Sequence, residues 1–277
     1  MTALTGHDVT TPATLDDHQL ARALADAAGE VLLALRAEGD AEADPARLRA
    51  EGDRQSHLFL MDRLAEARPD DAVLSEEGKD DPVRLAADRV WIVDPLDGTR
   101  EFGELPRDDW AVHVALWEHG DLVAGAVARP ARGTTLATDH ASSPADHASS
   151  PAGQGAQRSA RLRLAVSRSR PPAFVTRLAE RLDAELVPMG SAGIKATAVV
   201  DGTVDAYVHA GGQYEWDSAA PVAVARAAGL HTSRIDGSRL EYNREDPLLP
   251  DLLICRPEVA DHLLSVIREL TNEGTTT

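Results

Sequence analysis

Between Asp16 and Glu38 apolar side chains return every third or fourth residue, at Leu20, Leu24, Ala27, Ala28, Val31, Leu32 and Leu35. That period is one face of an α-helix, and Gly39 supplies a stop signal. An acidic linker with Pro45 follows. Beyond it Asp53 reads as the N-cap of a second helix whose apolar face is Leu58, Met61 and Leu64. The pattern then changes period. Ala72 to Leu74 is a short apolar run leading into Ser75, Glu76 and Glu77, and Val90 to Val93 is another, with Trp91 inside it. The second reads as a buried strand. Asp94-Pro95 is expected to end it, because proline cannot donate a ladder hydrogen bond. Trp110 to Trp117 and Asp121 to Ala128 are strand-like and joined by the hairpin signal Glu118-His119-Gly120-Asp121. These runs predict an antiparallel sheet covered by the two helices.

The second half alternates strands and helices. Arg161 to Val166 reads as a strand and Phe174 to Leu182 as a helix. Val187-Pro188-Met189 leads into the glycine-rich turn Gly190-Ser191-Ala192-Gly193-Ile194-Lys195, which opens a helix from Lys195 to Val200. Asp205 to His209 is a further strand, and Asp217 caps a helix that ends before Gly229. Leu252 to Cys255 and Val259 to Leu270 are a last strand and helix. Alternation of this kind predicts an α/β half. Between the halves, Asp139 to Ala145 (DHASSPA) is repeated at once as Asp146 to Ala152. A tandem copy rich in Ser, Ala and Pro cannot bury a face, so it predicts a mobile surface loop; metal binding by its two histidines is the weaker reading. The expected division is an α+β subdomain over 15–138, the loop over 139–157 and an α/β subdomain over 158–270. The first 14 residues and the polar C-terminal tail carry no apolar period and are expected to lie outside the core.

Composition narrows the function classes. At 277 residues and 43% hydrophobic content the chain can bury a substantial core. A net charge of −18 argues against binding the phosphate backbone of DNA or RNA. No run reaches the length of a membrane span, and the N-terminus lacks a signal-peptide pattern. The lone cysteine, Cys255, excludes an intramolecular disulfide and fits a reducing cytoplasm.

The candidate chemistry lies in Asp94-Pro95-Leu96-Asp97-Gly98-Thr99. Two carboxylates, a carbonyl and a hydroxyl at the end of a strand suit a hard divalent cation such as Mg²⁺, which takes oxygen ligands. Taken alone, the two aspartates fit an ordinary turn equally well. With Glu76-Glu77 upstream and Trp216-Asp217 downstream, the set resembles the metal signature of the inositol monophosphatase family of Mg²⁺-dependent, lithium-sensitive phosphatases. The resemblance covers about Leu20 to Leu264 and implies a layered αβαβα sandwich of the inositol monophosphatase and fructose-1,6-bisphosphatase type.

The resemblance also implies roles for individual residues. By it, Glu76, Asp94, the Leu96 carbonyl, Asp97 and Asp217 hold two or three Mg²⁺ ions, with Glu77 outside the ligand set. Asp53, Glu76 and Thr99 orient and deprotonate the attacking water, while His57 is structural. Gly98 and Thr99 donate backbone N–H groups to the phosphate. Arg100-Glu101 stands where inositol phosphatases carry a residue followed by Asn, and so resembles the 3′(2′),5′-bisphosphate nucleotidase branch. The Ser167-Arg168-Ser169 turn and Gly190, Ser191, Gly193 and Lys195 resemble the same branch. There they would receive a nucleotide, Arg168 and Lys195 facing the non-reacting phosphate. The expected activity is removal of the 3′-phosphate of adenosine 3′,5′-bisphosphate, extending to its 5′-phosphosulfate parent. The alternatives are a broad inositol 1-phosphate and fructose 1,6-bisphosphate phosphatase and a non-catalytic metal-binding regulator on the same fold. The expected partner is a small nucleotide bisphosphate, with no nucleic acid polymer and no membrane span, for a cytoplasmic monomer or homodimer.

Overall fold

In the computed structural model, which describes residues 14–38, 44–139 and 161–275, strand β2 (Arg89–Asp97) shows how the layers arise. Its alternate residues enter different cores, Val90 and Ile92 on one face and Trp91 and Val93 on the other. A strand buried on both faces reads as a continuous apolar run because each face serves its own core.

Against the Trp91 face lie α1 (Asp17–Glu38) and α2 (Pro45–Ala67). Strand β2 belongs to a five-stranded sheet, with β1 (Ala72–Ser75) parallel on one side. On the other side follow α3 (Thr99–Phe102), a single turn, then β3 (Ala111–Glu118), β4 (Asp121–Arg129) and β5 (Thr134–Ala137), all antiparallel neighbours. The second sheet contains β6 (Arg163–Ser167), β7 (Glu185–Met189), β8 (Ala206–Tyr214), β9 (His231–Ser233) and β10 (Leu248–Cys255) in the order β7-β6-β8-β10-β9. Helices α5 (Ala192–Val200) and α6 (Glu215–Ala227) fill the space between the sheets, sharing a core with Ile92 and Val127 of the first and Ala165 and Ile254 of the second. Helices α4 (Ala173–Leu182) and α7 (Pro257–Thr275) cover the outer face of the second sheet. Five layers result, helices–sheet–helices–sheet–helices, as the resemblance implied.

Several local expectations need correction. The second helix begins at Pro45, capped by Asp44, whose side chain accepts from Arg47 N–H at 3.0 Å. Asp53 therefore lies inside that helix; Pro45 suits a first helical position, where no N–H partner is needed. Strand β2 runs through Pro95 to Asp97 instead of stopping at Asp94. The ladder slips between Asp94, opposite His113, and Asp97, opposite Ala111. Proline is tolerated at such a bulge because no ladder donor is required there. Tyr214, not Asp217, is the N-cap of α6, and Asp217 sits at the third helical position. The edge strands β5 and β9 were not foreseen; at four and three residues they are too short to show a period. The sheet is also mixed, since β1 joins it in parallel. The duplicated segment from His140 to Ala152 lies outside the described residues.

Candidate active site

The bulge in β2 decides the geometry of the acids. Residues three apart on a regular strand point to opposite faces. Here three steps on β2 match two on β3, so Asp94 and Asp97 return to one face. Both are buried, at 1% and 6% exposure. The turn is fastened from two directions: Asp94 Oδ1 accepts from Leu96 N–H at 3.0 Å, and Ser56 Oγ of α2 donates to Pro95 O at 2.7 Å.

Other elements deliver the remaining acids. Parallel pairing places Ser75 beside Val93, and Glu76 N–H donates to Val93 O at 3.3 Å, which carries Glu76 to Asp94. Asp217 arrives on the first turn of α6, held by Tyr214 N–H donating to its Oδ2 at 2.6 Å. Asp94, Asp97 and Asp217 each offer an oxygen within 4.8 Å of the others. On the other side of the turn, Thr99 Oγ1 lies 3.2 Å from Asp53 Oδ1 and 3.1 Å from Leu96 O. The interior position of Asp53 in α2 is what aims it at Thr99.

Charge in this cluster is distributed unevenly. Burial, with Glu76 and the other acids nearby, holds the Asp94 carboxyl well above the usual carboxylate range, and Asp94 bonds to Glu76. Glu76 keeps solvent access on one side, but loss of water on the other and its acidic neighbours push it up to about 7. Burial and Asp97 raise Asp217 to about 6. Burial and Glu77 raise Asp53 to about 6. Asp97 is the exception. Burial raises it, but His113, Lys195 and the Gly193 N–H outweigh that and hold it down at about 2.

An all-oxygen set fits a hard cation. Two anions at this spacing repel by roughly 3–4 kcal/mol at an effective dielectric constant of about 20. Since a whole domain is stable by only about 5–15 kcal/mol, three ionised acids at this spacing need a compensating positive charge. Asp94, Asp97 and Asp217 are placed so that they could hold one, with Glu76 bonded to Asp94.

A cavity of about 760 Å³ opens on the cluster. Of the residues expected to bind substrate, Gly98, Thr99, Arg100, Ser167, Gly190, Ser191 and Lys195 line it, as do Asp97 and Asp217. Gly98 (φ 87°) packs against Ser191 closely enough that a Cβ would sit 2.9 Å from the serine Cβ, so glycine lets the two loops approach. Gly193 lies behind the wall, its N–H donating to Asp97 Oδ2 at 2.6 Å. Arg168 is not on the lining; it pairs with Glu101 at 2.7 Å and Glu104 at 2.9 Å. The Lys195 ammonium is buried and donates to Gly190 O, and to Ser191 O at 2.7 Å, beneath the Tyr207 ring. Glu77 is exposed and acts on Asp53 through charge alone, and His57 bonds Ser75 Oγ at 3.0 Å.

The sequence reading missed Arg170, Tyr207, His209 and Tyr214 on the cavity wall, and His113 beneath it. Arg170 was visible as the end of the Ser167–Arg170 turn, whereas the others belong to strands β3 and β8 and to no motif.

Comparisons with known proteins identify the family. Residues 16–272 match the model of the inositol monophosphatase family. The 3′-phosphoadenosine 5′-phosphate phosphatase of Mycobacterium leprae (strain TN) is 51% identical over 268 residues, 93% of this chain and 96% of that one. The 3′(2′),5′-bisphosphate nucleotidase CysQ of Escherichia coli (strain K12) is 34% identical over 203 residues, 71% of this chain and 80% of that one. The crystal structure of CysQ from Bacteroides thetaiotaomicron, a bacterial member of the same family, superposes with a TM-score of 0.67 at 28% identity, covering 84% of this chain and 94% of that one.

Proposed function

Since the chain belongs to the inositol monophosphatase family of metal-dependent proteins, we propose that it is a Mg²⁺-dependent phosphatase that removes the 3′-phosphate of adenosine 3′,5′-bisphosphate. One observation carries this reading: the acids of three separated segments meet beside a cavity in a chain half identical to a 3′-phosphoadenosine 5′-phosphate phosphatase. Glu76, Asp94, the Leu96 carbonyl, Asp97 and Asp217 would hold two or three Mg²⁺ ions. When bound, such ions polarise a phosphate ester and make a water acidic enough to yield hydroxide near neutral pH.

The protein's own groups do the rest. Thr99 Oγ1, donating to Asp53, presents its lone pairs to the attacking water and aims it. Asp53, with its pKa near 6, takes up a proton that a carboxylate with an ordinary pKa would release. Asp217, in the first turn of α6 and on the cavity wall, would hold a water that gives the leaving ribose oxygen its proton. The N–H groups of Gly98 and Thr99 donate to the phosphate oxygens.

The wall fits a nucleotide. Tyr214 is stacked on Trp216 with ring centroids 4.7 Å apart and is half exposed, a flat surface for a purine. Arg100 and Arg170 line the cavity as cations and meet the non-reacting phosphate, while Lys195 and Arg168 shape the loops around it. Among the described residues no helix is long and apolar enough to cross a membrane. We assign the enzyme to the cytoplasm, where its single buried thiol Cys255 stays reduced.

Phosphate release from adenosine 3′,5′-bisphosphate, its phosphosulfate, inositol 1-phosphate and fructose 1,6-bisphosphate, each with Mg²⁺, tests the assignment. The bisphosphate nucleotide is expected to give the highest kcat/KM. A higher value for either sugar phosphate overturns the substrate, and no release from any overturns the activity.

A further inference from the structure

His113 is fully buried in β3, directly across the ladder from Asp94. Its ring reaches in two directions. Nδ1 lies 3.1 Å from the carbonyl of Trp216, the residue before Asp217, and Nε2 lies 3.1 Å from Asp97 Oδ2. One side chain thus touches both the β2 bulge and the first turn of α6, the two segments whose acids must converge.

The fit is close on every side. A Cβ on Gly193 would collide with His113 Nε2, so the glycine leaves the room this ring occupies. Asp97 accepts from Ala192 N–H at 3.1 Å through Oδ1 and from Gly193 N–H at 2.6 Å through Oδ2, with His113 against the same Oδ2. Among the described residues Nε2 makes no hydrogen bond, and its close neighbour is Asp97 Oδ2. Its action on Asp97 is therefore steric and electrostatic, while the Nδ1 contact ties the ring to α6. A histidine that merely filled space would not need an oxygen at each nitrogen.

We propose that His113 is a positioning residue that holds Asp97 in place for a divalent cation and fixes its distance from Asp217. The inference rests on the metal-dependent part of the proposed function, not on the substrate. Groups behind a metal-binding carboxylate commonly change cation affinity by roughly 10- to 100-fold when removed.

The test is calorimetric titration of chelator-treated protein with Mg²⁺ and Mn²⁺, without substrate, for wild type, His113→Leu and His113→Gln. His113→Leu is expected to weaken cation binding by roughly 10- to 100-fold. His113→Gln, which keeps a polar side chain with a partial positive end beside Asp97, is expected to recover part of the loss. At saturating Mg²⁺ the substrate KM of both variants should stay near that of wild type. If His113→Leu fails to fold, His113→Val, suited to a strand, replaces it. A folded Leu or Val variant with wild-type cation affinity overturns the proposal, whatever its activity; so does a Gln variant as weak as Leu. If wild type binds cations and the variants weaken as expected while the bisphosphate nucleotide is not hydrolysed, the substrate assignment falls and the role of His113 stands.

Discussion

Asp94 and Asp97 leave one strand three residues apart and reach the same cluster, yet their surroundings are opposite. Around Asp97 the protein has gathered positive ends: two N–H groups from the first turn of α5, the His113 ring and the Lys195 charge. It remains an anion without help. Around Asp94 stand Glu76 and the other acids, with one N–H from Leu96. That side holds protons to a higher pH than an ordinary carboxylate does. The difference separates two tasks on the proposed function: one carboxylate is organised in advance as an anchor, and its neighbours would be neutralised by a bound cation.

The largest effect should come from the acids that depend on the cation. Asp94→Asn and Asp217→Asn are each expected to cut turnover by several orders of magnitude, measured as phosphate release at saturating Mg²⁺. Cation-free Asp94→Asn should melt no lower than wild type, because it replaces a carboxyl whose ionised form is opposed. Near-normal turnover in either variant would remove the metal assignment.

Asp97→Asn should separate the two sides most clearly. It leaves the two amides and His113 facing a neutral, half-donor group, and hydrogen bonds to charged groups are worth about 1.5–3 kcal/mol. Cation-free Asp97→Asn is expected to melt several degrees below wild type, at roughly 2–4 °C per kcal/mol for a chain near this size. Equal melting of Asp94→Asn and Asp97→Asn would erase the contrast.

The pH dependence of the cation-free protein comes from the same imbalance. Glu76 near 7 and Asp53 and Asp217 near 6 lie above their unfolded values of about 4, so between those limits the folded state binds more protons than the unfolded one. Their contribution to stability is complete below about pH 4 and is lost as pH rises through 6 to 7. Asp97, near 2, acts in the opposite sense, but only below about pH 4. Scanning calorimetry in chelator should show Tm falling from pH 5 to pH 8, and saturating Mg²⁺ should flatten that slope. A cation-free Tm that rises over this range would show that the acids are not opposed.

The smallest effect should come from the rim. Arg168→Ala removes a partly exposed pair with Glu101 and Glu104, worth about 1 kcal/mol or less. It should change kcat little, whereas Arg170→Ala, on the cavity wall, should raise the KM for the bisphosphate nucleotide. The reverse order of KM effects would return Arg168 to the phosphate site.

Much of the fold was legible because burial writes itself locally. The helix from residue 17, the paired strands β3 and β4 and the α/β alternation after residue 161 each show a period that one amphipathic or doubly buried element requires. The errors fall where a local rule met a tertiary exception. Pro95 was read as a strand end, yet a bulge removes the need for its missing donor. Asp53 was read as a cap, yet Asp44 and Pro45 start that helix earlier. Resemblance to the nucleotidase branch implied that Arg168 and Lys195 face the non-reacting phosphate. The structure gives one to Glu101 and Glu104 and the other to two carbonyls.

From its residues alone this chain specified which acids it carries, in what order, and the family to which that order belongs, because side-chain chemistry and short-range periods are written along one dimension. Only the packed structure decided that Asp94 and Asp97 share a face, that Asp97 is held below the ordinary carboxylate range while its acidic neighbours are pushed above it, and that a histidine from a neighbouring strand stands between the turn and α6. Those outcomes depend on register, burial and distances between segments more than 100 residues apart, such as His113 and Trp216, and no local pattern encodes them.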